Sequence, residues 1–309
     1  MVGKSAGEKA PILSAHRDLL VAAAVFTTLL IAMGGILCVT QSIRNCPDWP
    51  GCFGKVVPPA ETGPILEYTH RLLAGISSLL IVSSAVMGIV RVRQLHWVSV
   101  PPIVALVLLL EVSFFGAQVV LHGLAPGWAA VDVGSALLVV ALMVTAAIKA
   151  SVGVIGPKVT DPPEFSSPLA KLLLATVAVV YIVLLSGVLV AGKGSITGCL
   201  GWPIYNPQQF QLDGHIPGNT LRIVLSIIGV GMLVAVLVTA WQKRHMRRGI
   251  FNLARWVGLA FLLEALIQVL LQVFGLLTAL LLIYTVVAAA LWALLVALLV
   301  KASLKTASE

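Results

Sequence analysis

Five consecutive residues, Glu67-Tyr68-Thr69-His70-Arg71, bring a carboxylate, an imidazole and a guanidinium together at helical spacing. Glu67 and His70 stand three apart, so a helix through them presents both on one face. A neutral imidazole can ligate a heme iron, a nearby carboxylate can orient it or take a proton, and Arg71 can pair with a heme propionate. The competing reading is an interfacial helix cap with a snorkelling arginine. Just upstream runs Cys46-Pro47-Asp48-Trp49-Pro50-Gly51-Cys52. The cysteine pair could bind metal, but no His or Cys partners stand beside it at zinc-like spacing. A disulfide or reversible dithiol fits better, placed to fix a lid or relay redox state to the Glu67 helix.

Other polar residues gather at the same expected depth: Asp132, His122 and Tyr284, with Arg222 opening a later helix and Trp49, Trp128 and Trp202 as interfacial aromatics. Glu111, Gln118, Glu264, Gln268 and Gln272 sit deeper and suit interhelical hydrogen bonding. His16, His96 and His245 fall among charges and carry no expected role. Cys38 reads as a small buried hydrophobe, and Cys199 as a free thiol unless it meets Cys46 or Cys52.

The elements that must position these groups are membrane spans. Of 309 residues, 59% are hydrophobic and 10% charged, against about 25% charged in a soluble domain, and mean hydropathy is +1.05. That composition excludes both a soluble enzyme and a disordered chain. Apolar runs predict eight helices at about 19–39, 66–90, 98–121, 128–148, 169–191, 219–241, 256–275 and 278–300. The last two are separated only by a turn at Gly275 to Thr278. The expected fold class is an all-α polytopic membrane protein.

Lys and Arg concentrate in one set of connections, which includes Lys4, Arg17, Arg91, Arg93, Lys158, the 243–255 cluster and Lys305. The positive-inside rule then puts both termini in the cytoplasm of a multi-pass plasma (inner) membrane protein. It also accounts for the net charge of +8 as loop charge, with no nucleic acid as partner. Lys4 to Asp18 runs straight into a full-length span, so no cleavable signal is expected. The long loops at about 40–65 and 192–218 face the oxidising side.

An internal repeat organises the eight spans. Cys46, Trp49 and Pro50 recur as Cys199, Trp202 and Pro203 at an offset of 153, with Tyr205 replacing the second cysteine. Glu111 and Glu264 share that offset, and Arg71 and Arg222 come within two residues of it. Two pseudo-symmetric four-helix bundles follow, residues 1–155 with the Cys46/Cys52 loop and the Glu67/His70 site, and residues 156–309.

The Cys-Pro-Asp-Trp-Pro-x-Cys loop, followed by Glu67-x-x-His70-Arg71 at the start of the second span, resembles the heme A synthase family. The resemblance implies oxidation of the heme O methyl group to the formyl group of heme A for cytochrome oxidase, by successive hydroxylations. It implies catalytic roles for Glu67 and His70, an assisting pair at Cys46 and Cys52, and a heme b between two histidines of the C-terminal half. It further implies heme O, a heme O-forming farnesyltransferase, an electron donor and the lipid bilayer as partners. In this chain the family's other histidine positions hold Asp132, Leu221 and Tyr284, so bis-histidine ligation of a heme b is not possible as aligned. His122 and His215 are the substitutes on the same side.

Three functions compete: a heme A synthase-like oxidoreductase, a non-catalytic heme-binding or oxidase-assembly relative, and a transporter with a midplane site. The lack of Gly- or Pro-broken helices argues against the transporter.

Overall fold

The computed structural model describes residues 5–48, 51–123, 125–155, 162–190, 198–199, 202 and 216–304. Lys4, Trp49, Lys158, Tyr205, His215 and Lys305, all part of the sequence reading, lie outside the described residues. Eight helices carry the fold: α1 (Ser5–Val39), α2 (Thr62–Arg91), α3 (His96–His122), α4 (Pro126–Ile155), α5 (Pro168–Val190), α6 (Ile216–Gln242), α7 (Arg248–Phe274) and α8 (Thr278–Ala302). Each is long and apolar enough to cross a membrane. The protein is all-α, as its composition requires.

Several helices overrun the apolar stretches that announce them, most of all α1, which begins at Ser5 rather than near residue 19. Once a helix is nucleated, each added residue contributes a backbone hydrogen bond, so polar turns extend the element beyond the lipid-facing segment. His16 is accordingly not a loop residue among charges. It lies in α1, fully buried. Between α7 and α8 the chain turns at Gly275, whose φ of 80° is the left-handed conformation that stops a helix and that glycine adopts without strain.

Packing follows one scheme twice. In the first four helices α1 packs on α2, α2 on α3, α3 on α4 and α4 back on α1. The last four repeat it, with α5 on α6, α6 on α7, α7 on α8 and α8 on α5. The two rings meet through α1–α8, α4–α5 and α4–α8, which makes α4 and α8 the central helices. Small residues such as Ala23, Ala146, Ala147, Ala150, Ala288 and Ala289 are buried there, letting backbones approach where lipid provides no hydrophobic drive. A polar contact crosses this seam: the buried Trp292 of α8 donates its Nε1–H to the Leu137 carbonyl of α4, at 3.0 Å.

Trp292 is expected to be the energetic centre of the seam. Trp292→Ala should cost about 3–5 kcal/mol, seen as a lower unfolding midpoint in detergent, whereas Trp256→Ala, at a residue 61% exposed on α7, should change it little. Equal effects from the two would remove the seam's special role.

Candidate functional site

The α1–α2 loop closes on itself first. Cys46 and Cys52 form a disulfide, with Cα atoms 4.8 Å apart and both residues fully buried. Phe53 and Gly54 turn the chain with φ of 55° and 65°, and Cys52 and Lys55 exchange backbone hydrogen bonds at 3.2 Å. This is the geometry of a two-residue hairpin, in which both central residues need positive φ. The Asp48 carboxylate spans the turn, accepting the Phe53 and Gly54 amide hydrogens at 2.6 Å each. The Gly54 amide most of all, with the Phe53 amide and the Arg71 charge, holds the Asp48 carboxyl below its ordinary range. The sequence analysis gave Asp48 no role; the glycine at a tight turn was the available signal.

Helix α2 then grips this loop from below. Glu67, buried, accepts the Cys46 amide hydrogen on Oε2 at 2.8 Å and the Arg71 guanidinium on Oε1 at 2.5 Å. Arg71 reaches on to donate to the Asp48 carbonyl at 2.7 Å and to the Gly51 carbonyl. The pair is almost dry, with the Arg71 and Glu67 side chains 12% and 5% exposed. Neither the freely snorkelling arginine nor the unengaged carboxylate of a proton acceptor is what the geometry presents. Both residues are built into a clasp between α2 and the disulfide loop.

His70, one position before Arg71, faces α1. Its ring lies over Gly34, with Cε1 3.5 Å from where a β-carbon would stand. The buried Nδ1 has no hydrogen-bond partner among the described residues. An imidazole held in place without a partner fits the donor chemistry of a heme ligand.

The remaining candidates are not drawn to His70 by any described contact. His122 is exposed at the end of α3, its Nδ1 3.0 Å from Gln118 Oε1 on the same helix. Asp132 is half-buried in α4, its Oδ1 unpartnered among the described residues, with the Glu111 carboxyl as electrostatic neighbour. Glu111 itself accepts the Ser135 hydroxyl at 2.7 Å.

In the second half Tyr284 is buried in α8. Its hydroxyl accepts the Trp202 amide hydrogen at 2.9 Å and the Gln268 side-chain amide at 3.1 Å. Arg222 of α6 and Glu264 of α7 are buried within electrostatic range of it. The adjacent Leu221 is 61% exposed and turns away from the bundle. These positions do not fit a bis-histidine heme: one side chain points outward and the other is already bonded. No group of three or more His, Cys, Asp or Glu suited to a metal ion occurs among the described residues.

Cys199 corrects the sequence reading. It is neither free nor joined to Cys46 or Cys52 but bonded to Cys38, with Cα atoms 5.6 Å apart. Cys38 is therefore not a mere small hydrophobe. The pair ties the end of α1 to the α5–α6 loop across 161 residues.

The Glu67 clasp has a measurable role. Glu67→Ala removes the acceptor of the Cys46 amide and the carboxylate partner of a nearly buried Arg71, a loss of about 3–5 kcal/mol. We expect Cys46–Cys52 to open at roughly tenfold less reductant or lower still, since tenfold needs only about 1.4 kcal/mol of it. Mass-shift thiol labelling checks this, with Glu67→Gln intermediate; wild-type reducibility in Glu67→Ala would show that the clasp does not hold the loop.

The family described as cytochrome oxidase assembly protein matches residues 17–302. Heme A synthase of an Exiguobacterium species is 26% identical over 224 residues, covering 72% of this chain and 73% of its own. Heme A synthase of Alkalihalophilus pseudofirmus is 27% identical over 225 residues, covering 71% and 74%, and that of Lysinibacillus sphaericus 26% over 236 residues, covering 72% and 76%. The match takes in all eight helices together with the clasped disulfide loop, and the chain belongs to the heme A synthase family of cytochrome oxidase assembly proteins.

Proposed function

We propose that this protein oxidises the methyl substituent of heme O to the formyl group of heme A, for use by a cytochrome oxidase. Two successive hydroxylations of the methyl carbon, each consuming one dioxygen, two electrons and two protons and releasing one water, give a geminal diol, and loss of water gives the aldehyde. The observation that carries the reading is His70: a half-buried imidazole whose buried Nδ1 has no partner among the described residues, packed over Gly34 and one residue from the clasp.

On this reading residues 1–155 are the substrate half and residues 156–309 a second half of altered chemistry. His70 holds the iron of the substrate. Glu67 and Arg71 keep the disulfide loop seated above it, and the seated loop excludes water from that end of the half. Neither residue needs to touch the reacting carbon to matter. The face with the long loops is extracytoplasmic and both termini are cytoplasmic, consistent with two disulfides on that face. An electron donor and the heme O-forming farnesyltransferase are the partners the reaction calls for.

One observation favours a second reading, a heme-binding assembly relative without synthase activity. Both Glu67 oxygens are engaged, so this carboxylate has no vacant atom aimed at a substrate. Co-expression with a heme O source, followed by pigment extraction, separates the two. Heme A should accumulate with the wild type and fall to background with His70→Ala, which should also lose its bound-heme spectrum. Plentiful heme O with no heme A from the wild type would leave only the assembly reading, and an unchanged His70→Ala spectrum would remove His70 as the ligand.

A further inference from the structure

The α5–α6 loop sends one large side chain into the second helix ring. Trp202 was expected to lie at an interface, yet it is 2% exposed. Its ring packs against Phe261 of α7 at 5.6 Å between centroids. On α6 it lies over Gly229, where a β-carbon would stand 3.4 Å from Cζ2 and 3.5 Å from Val179 of α5. Its backbone amide is bonded to the Tyr284 hydroxyl of α8. One residue thus meets three of the ring's four helices directly and lies beside the fourth. Its Nε1–H has no acceptor among the described residues, an unfavourable state for a buried donor. The side chain is held there by shape and by the anchoring of its backbone.

The backbone is held at two points. Three residues upstream, Cys199 is bonded to Cys38 of α1. Tyr284, which the resemblance aligns with a histidine of the eighth span, is the residue that receives the Trp202 amide. Gln268 of α7 donates to the same hydroxyl and braces it.

We propose that Trp202 is a built-in plug: its side chain, anchored through Cys199 and Tyr284, fills the C-terminal half, which takes no heme. In naming heme as the excluded ligand this rests on the reading above; the plug itself does not. Tyr284 does for the second loop what Glu67 does for the first, offering a buried bundle oxygen to a loop amide.

Two measurements test this on the full-length chain in detergent. Quantitative pyridine hemochrome after co-expression with a heme source should give one heme per wild-type chain and none per His70→Ala chain. Two hemes in the wild type, or any heme kept by His70→Ala, including one then lost on His215→Ala, would overturn the proposal. Independently, Trp202→Gly should lower the unfolding midpoint, and added indole should restore most of the loss by refilling the cavity. Trp202→Phe should show a smaller loss and little response to indole. A Trp202→Gly midpoint equal to wild type, or one indifferent to indole, would show that the ring fills no closed site. A heme-free wild type would fail the reading of the first half, while the indole arm would still decide the plug.

Discussion

A polar group inside a lipid-embedded bundle has no water to turn to, so a partner within the chain is worth far more there than at a wet surface. The Glu67 carboxylate shows what that difference builds. Its two oxygens join a loop amide and an arginine, and the arginine reaches two further loop carbonyls. The irregular backbone from Cys46 to Gly51 is thereby fastened to a regular helix. The disulfide shapes the loop; the ion pair fixes where it sits relative to His70. Because Glu67, His70 and Arg71 share one turn and a little more of α2, any shift of the loop is felt at the imidazole.

The second half solves the same problem with different chemistry. Where the first uses a charged pair, the second uses a phenol, a side-chain amide and a covalent bond. A charged clasp is stable only while both partners are present. A neutral hydroxyl avoids that liability, and the sulfur bond fixes the loop to α1 rather than to its own ring. The two helix rings thus share one packing scheme while their loops are held by unlike means.

Much of this was legible in the sequence. Apolar run length fixed the number of spans, and Gly275 marked the one turn that hydropathy alone would miss. The Cys46–Cys52 disulfide was legible because its partners are close in the chain and share a loop. Cys38 with Cys199 was not, since nothing local relates residues 161 apart. Trp202 was misplaced for a related reason. Tryptophan at a helix end favours the interface by its amphipathic ring, and only the fold shows a glycine on α6 making room for it. The engagement of Glu67 was half legible: its spacing from Arg71 permits an ion pair, but the Cys46 amide comes from a loop whose path the sequence does not determine.

The Cys38–Cys199 bond also sets an order of events during biogenesis. Cys38, Cys46 and Cys52 are synthesised long before Cys199, and the Cys46–Cys52 ring can close as soon as its own loop is made. Cys38 must stay a thiol through that interval, or be released from a wrong partner by exchange with another thiol. Only after α5 has followed can the correct bond form. The last covalent step of maturation thus records that both halves have been made and have met.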